Sequence, residues 1–161
     1  MNATDLKSSV SLRRIKWNLF LLGLFKIPLL FYVSPKIISI SPESCIVKIK
    51  LRRRTKNHLN SMYFGAMAVG ADVAVGLHAF YLSELKKAKI SLAFKSFNAE
   101  FLKRAESDVN FICEEGNKII KMIEESMIEG KRVNEMIDVQ AINSSNEMVA
   151  KFTMELSLKV I

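Results

Sequence analysis

The segment Ser61–Leu82, "SMYFGAMAVGADVAVGLHAFYL", limits the fold more than any other stretch of the chain. Its spacing predicts a long helix with apolar residues on every side, and Asn60 or Ser61 is placed to cap its start. A helix that is hydrophobic all round has to be wrapped by other structure. It is also lined by Gly65, Ala66, Ala68, Gly70, Ala71, Ala74, Gly76 and Ala79. Glycine inside a helix costs about 1 kcal/mol relative to alanine, so these positions point to close packing or to function. One acid, Asp72, interrupts the run. A buried carboxylate is costly unless something pairs with it, so the segment raises the question of what Asp72 meets.

The flanking sequence supplies the wrapping. In "SCIVKIKLRRRTK" the residues Cys45, Val47, Ile49 and Leu51 alternate with Lys48, Lys50 and Arg52, the period of a half-buried strand with one basic face. A shorter strand is expected at Lys36–Ile40, with "SPES" as the turn between the two. Beyond the helix, strands are expected at Lys89–Phe97 and Ala99–Arg104, which can form one bent strand. Others follow at Asp108–Glu114, Val133–Ile142 and Val149–Val160. Asn117–Glu129 has helical spacing and is closed by Gly130. The class is α+β: one sheet around one apolar helix.

At 161 residues, 50% of them hydrophobic, the chain is long enough for one core and short of two. Ser11–Val33 has three cations ahead of an apolar run, but Lys26 and Pro28 break that run below the roughly 20 residues a spanning helix needs. Two short helices are expected there, making residues 1–34 a helical extension packed on a domain of residues 35–161. Cys45 and Cys113 lack metal-ligand spacing and read as reduced thiols, which suits the cytoplasm. No metal site is expected: His58 and His78 belong to no ligand cluster and both read as structural, with His58 of further interest because it adjoins Asn57.

Charge is uneven. Residues 1–60 hold 12 Lys/Arg and 2 acids, against 12 and 14 in the remainder, within a net charge of +8. A basic face of this kind attracts phosphates. Nucleic acid is disfavoured as the partner, because the basic run has no interleaved aromatics and no recognition helix.

A loop feeding the start of a buried helix presents free backbone N–H groups and the positive end of the helix dipole. Gly65 would let a carbonyl reach those groups, the requirement of an oxyanion hole. Asp72 lies two turns on, about 10 Å along the axis, and a catalytic base acts within about 3 Å. If both residues are catalytic, two copies of the helix must pair antiparallel across a two-fold axis, with Gly65 from one chain and Asp72 from the other. The bland reading is that Asp72 pairs with a nearby arginine or caps a neighbouring segment.

The stretches "KIPLLFYVSP", "RRTKNHLNSMYFGAMAVGADVAVG", "FKSFNAEFLKRAESDVNFICEEG" and "VAKFTMELSLK" resemble the hotdog-fold thioesterases. The closest likeness is to a bacterial branch of unassigned substrate, related more distantly to the phenylacetic-acid-pathway thioesterases. That resemblance implies a long helix wrapped by a curved antiparallel sheet, a homodimer or homotetramer, and hydrolysis of an acyl-CoA or acyl-carrier-protein thioester. No cofactor is implied, since coenzyme A arrives as part of the substrate. The pathway pattern runs Asn, then His-Gly-Gly six residues on, then Asp nine after the His; here the same spacing gives Asn57, Tyr63-Phe64-Gly65 and Asp72.

By resemblance, Asn57 would hold the carbonyl or the attacking water, the Gly65 N–H would polarise the carbonyl, and Asp72 would act as base or nucleophile. Tyr63 stands in place of the His and Phe64 in place of the first Gly, departures that bear on the histidine's contribution and on the acyl channel. The nucleotide of coenzyme A would lie on the surface near Arg54, Lys56, Lys103 and Arg104. Two other functions fit the residues. One is an acyl-CoA or fatty-acid binding protein without turnover. The other is a peripheral membrane protein using residues 12–33, where Trp17, Phe20, Phe25, Phe31 and Tyr32 accompany the basic first third.

Overall fold

Residues 11–161 are described in the computed structural model, so the first ten residues of the expected helical extension lie outside it. Two helices come first, α1 (Leu12–Phe25) and α2 (Pro28–Val33), separated where Pro28 opens the second. Strands β1 (Lys36–Ile40) and β2 (Cys45–Ile49) follow, then the long helix α3 (Phe64–Leu85). The order continues with β3 (Ile90–Phe101), β4 (Val109–Cys113), α4 (Gly116–Glu129), β5 (Val133–Asn143) and β6 (Met148–Val160). The six strands form one antiparallel sheet in the order β1-β2-β4-β5-β6-β3, leaving β1 and β3 at its edges.

The period-two residues turn inward as expected. Cys45, Val47 and Ile49 of β2 are buried against α3, and Phe152, Met154, Leu156 and Leu158 of β6 are buried in the same core, where β6 also meets α4. The expected bent strand is a single β3, and its register shifts between Phe94 and Ser96. This bulge at Lys95 keeps Leu92 and Phe94 on the same face as Phe97, Ala99 and Phe101. Gly130 closes α4 in the left-handed region, at φ 67°.

Fourteen of the 22 residues of α3 are buried. The sheet approaches so closely at Gly70 that a Cβ there would overlap the Phe111 ring. By length and composition α3 could cross a membrane, yet 67% of its most apolar window is buried inside the protein. The wrapping is nevertheless incomplete. Phe64, Ala68, Asp72, Gly76, Phe80 and Glu84, at steps of four, form one stripe that the sheet does not cover.

The start of α3 differs from expectation: the helix begins at Phe64, and neither Asn60 nor Ser61 caps it. The chain first folds back on itself, with Asn57 N–H donating to Ser61 O and Tyr63 N–H to Thr55 O, each at 2.8 Å. Met62 is thereby held extended opposite Lys56, and the helix can start only after this ladder ends. Tyr63, with no side-chain cap, becomes the N-cap.

Candidate functional site

The loop that delivers α3 is fixed by its own side chains. Thr55 is buried, its Oγ1 accepting from Arg52 N–H at 2.9 Å and donating to Lys50 O at 2.7 Å. Asn57 Oδ1 accepts from Leu59 N–H at 2.9 Å and Ser61 N–H at 3.2 Å, an Asx turn that lets Asn60 take φ 59°. Its carbonyl is thus committed to the loop, which leaves the Nδ2 amino group as the end of Asn57 able to serve a ligand. Met62 N–H donates to Ala105 O at 2.8 Å and draws the β3–β4 connection alongside.

Between these two loops and the first turn of α3 lies an open cleft of about 600 Å³. The structure brings Asn57, His58, Tyr63, Phe64, Lys103 and Arg104 together around it. Gly65 adjoins, one residue inside the helix. At the helix start the N–H groups of Phe64, Gly65 and Ala66 precede the first intrahelical bond, Met67 N–H to Tyr63 O at 3.1 Å. Met67, Phe101 and Leu102, not anticipated from the sequence, supply an apolar wall. Met67 was findable, because it sits three residues past Phe64 and so on the same side of the helix.

The cationic candidates separate. Arg104 lines the cleft with its side chain exposed. Lys103 lines it too, but its Nζ holds Glu147 Oε1 at 2.6 Å, and this hydrogen bond lowers the Glu147 pKa. Lys56 Nζ donates to Asn60 Oδ1 at 2.9 Å and serves the loop. Arg54 does not belong to the cleft: it lines a different cavity beside α1 and α2, its guanidinium 5.6 Å from the Tyr32 ring centroid. The resemblance grouped Arg54 with Lys56, but β2 ends at Ile49 and the turn at Arg52–Thr55 leaves Arg54 beside the N-terminal helices.

Asp72 stands apart from the cleft of its own chain, midway along the open stripe of α3. It makes no ion pair or hydrogen bond among the described residues, so none of them supplies the neighbouring arginine or the capping role of the bland reading. Partial burial raises its pKa above the ordinary 3.8. Gly76, one turn further on the stripe, has open space where a Cβ would point.

His78 is structural, as expected. It is fully buried, with Nε2 donating to Ser41 O at 3.0 Å and burial lowering its pKa. No group of three or more metal-ligating side chains occurs among the described residues.

Residues 16–158 match a sequence family described as a domain of unknown function, DUF4442, and the chain belongs to that family. No curated protein matches it. A Chlorobaculum tepidum protein of unknown function is similar in structure at a TM-score of 0.80 and 11% identity, covering 94% of this chain and 98% of that one. A thioesterase of Haemophilus influenzae is similar at 0.66 and 11%, covering 96% and 94%. The E. coli PaaI protein, from the phenylacetic acid degradation operon, is similar at 0.61 and 16%, covering 91% and 94%. At these identities the likeness establishes the fold, which is the hotdog fold.

Proposed function

We propose that this protein hydrolyses an acyl thioester, carried on coenzyme A or an acyl-carrier protein, at a site that two copies build together. The observation that carries the reading is Asp72, an ionisable side chain with a raised pKa and no ion-pair or hydrogen-bond partner among the described residues, on the one stripe of α3 that the sheet leaves open. A likeness in fold to a thioesterase of Haemophilus influenzae gives the reading its chemistry. Two further features support pairing. The unpaired edge of β3 is 12 residues long, and its inward-facing Phe97 and Phe101 are 44% and 52% exposed. A second copy laid antiparallel on α3 and β3 would cover this surface and bring Gly65 near Asp72 of the partner subunit.

In this reading the acyl chain lies along the apolar wall and Arg104 takes a phosphate of the carrier. The Gly65 N–H and Asn57 Nδ2 donate to the thioester carbonyl oxygen and stabilise the negative charge that gathers there. The partner's Asp72 takes a proton from a water whose oxygen bonds to the carbonyl carbon. When the intermediate collapses the C–S bond breaks, and the departing sulfur takes that proton from the carboxyl. In a covalent variant the carboxylate itself bonds to the carbonyl carbon, the thiolate leaves, and water opens the resulting anhydride.

Release of free thiol from a panel of acyl-CoA chain lengths tests the assignment. Asp72→Asn should lower the rate about 100-fold or more, and a rate equal to the parent's overturns the role of the acid. A second reading, acyl-CoA or fatty-acid binding without turnover, draws on Tyr63, whose ring lies against Gly65. Thermal stabilisation by acyl-CoA with no thiol released selects it.

A further inference from the structure

The α1–α2 pair sends one apolar stripe into the core and another outward. Ile15 and Leu19 are buried, while Trp17, Phe20 and Leu24 project from the opposite side of α1. Trp17 is 60% exposed and Phe25 72%. The patch continues onto α2: the Phe20 ring lies 5.6 Å from Trp17 and 6.1 Å from Phe31, with Tyr32 also exposed. A contiguous exposed apolar patch of this kind marks a contact with something else.

Its rim is cationic throughout. Arg13, Lys16 and Lys26 are exposed on or beside α1, and Arg54 sits over the Tyr32 ring. Between the patch and β1 is a cavity of about 580 Å³ where Lys16, Lys36 and Arg54 stand over Leu19, Leu30 and Ile37. No acid occurs from residue 6 to residue 42. The Arg14–Glu84 ion pair, at 2.9 Å, ties α1 to α3 away from the patch.

We propose that this face docks the protein on an anionic lipid bilayer, with the aromatic side chains of α1 and α2 at the headgroup boundary and Arg13, Lys16, Lys36 and Arg54 on the phosphates. Charge complementarity selects this occupant. A second copy of the chain on the same face would set the cationic rim against itself across the two-fold axis. A bilayer surface offers negative charge over a depth that accepts aromatic rings, while the lysine and arginine stems lie along apolar surface. The inference stands whether or not the protein hydrolyses thioesters.

Trp17 is the sole tryptophan of the chain, so its emission reports on the patch directly. The test uses the full chain with vesicles of phosphatidylcholine alone or mixed with phosphatidylglycerol, reading Trp17 emission and co-sedimentation. Mixed vesicles should pellet the protein and shift the emission to the blue, pure phosphatidylcholine should do neither, and added salt should release the protein. Arg13→Glu with Lys16→Glu should weaken binding at least about tenfold, and Phe20→Ser with Phe25→Ser should weaken it with less change in salt dependence. All four side chains are exposed, so unaltered melting identifies a folded variant. Absence of binding to mixed vesicles overturns the proposal, as does equal binding to both vesicle types. Trp17 emission that is already blue without vesicles and moves red on dilution also overturns it, because a second copy then covers the patch.

Discussion

The Tyr63 ring lies against Gly65 so closely that a Cβ on the glycine would come within 2.7 Å of Tyr63 Cε1. Tyr63 is 47% exposed, so its ring can swing toward solvent at little cost. Alanine at this position also gains about 1 kcal/mol of helix propensity. Gly65→Ala should therefore leave stability within about 1 kcal/mol of the parent in denaturant melts. The same Cβ would crowd a carbonyl approaching the helix start, so thioester hydrolysis should fall about tenfold or more. Unchanged hydrolysis would mean that the glycine serves only to make room for Tyr63.

Asp72 should show a conflict between stability and activity. Burial raises its pKa in the folded chain above 3.8, so over that interval the folded state binds its proton more tightly than the unfolded state does. The contribution of Asp72 to stability consequently declines as pH rises through the folded pKa, and at neutral pH the charged carboxylate is a net cost. Asp72→Asn is expected to melt at a higher temperature than the parent while losing hydrolysis. In the parent, hydrolysis should rise with pH as the carboxylate ionises. A variant that melts lower would show that the carboxylate has a stabilising partner.

His78 acts in the opposite pH direction. Burial is the main cause of its lowered pKa, outweighing the bond to Ser41 O, and its Nδ1 is buried without a hydrogen-bond partner among the described residues. The unfolded chain takes up a proton below about pH 6.5 that the folded chain resists. Stability present at neutral pH should be lost as pH falls through that value, and the melting temperature of His78→Gln should fall less steeply over the same range. Parallel slopes for the two proteins would remove His78 from the acid response.

Cys45 and Cys113 face each other across β2 and β4 and are both buried. Burial pushes the Cys45 thiol up to about 12 and the Cys113 thiol up to about 11. Almost no thiolate exists at neutral pH, so the native protein should react with dithionitrobenzoate only as fast as it unfolds. Both thiols should titrate in denaturant. A rapid burst from native protein would contradict this burial, and its absence keeps the thiol-release assay free of background.

Much of the fold was readable because period-two runs and the all-round apolar helix each admit one way of being buried. Strands β2 and β6 fall where Val47, Ile49, Met154 and Leu156 alternate with less buried neighbours. Local patterns misled where long-range backbone pairing decided the conformation. Ser61 looks like a cap, but Thr55 and Asn57 pair with the residues around it and delay the helix to Phe64. Arg54 looks like a neighbour of Lys56, but the turn after Arg52 carries it to the N-terminal helices. The open stripe on α3 was hidden as well, because glycine, alanine and phenylalanine there read as core even though the sheet never reaches them.

The central claim is that a working site takes Asn57 and Gly65 from one chain and Asp72 from the other. Mixing two inactive variants, Asp72→Asn and Asn57→Ala, under conditions where dimers exchange tests it directly. In a mixed dimer one site then has every residue intact and the other has both lesions. Random exchange of equal amounts should restore about one quarter of the parent's thiol release, because half of the dimers are mixed and each has one good site. Exchange confirmed by a tag on one variant, with no activity regained, would show that the site does not form between chains.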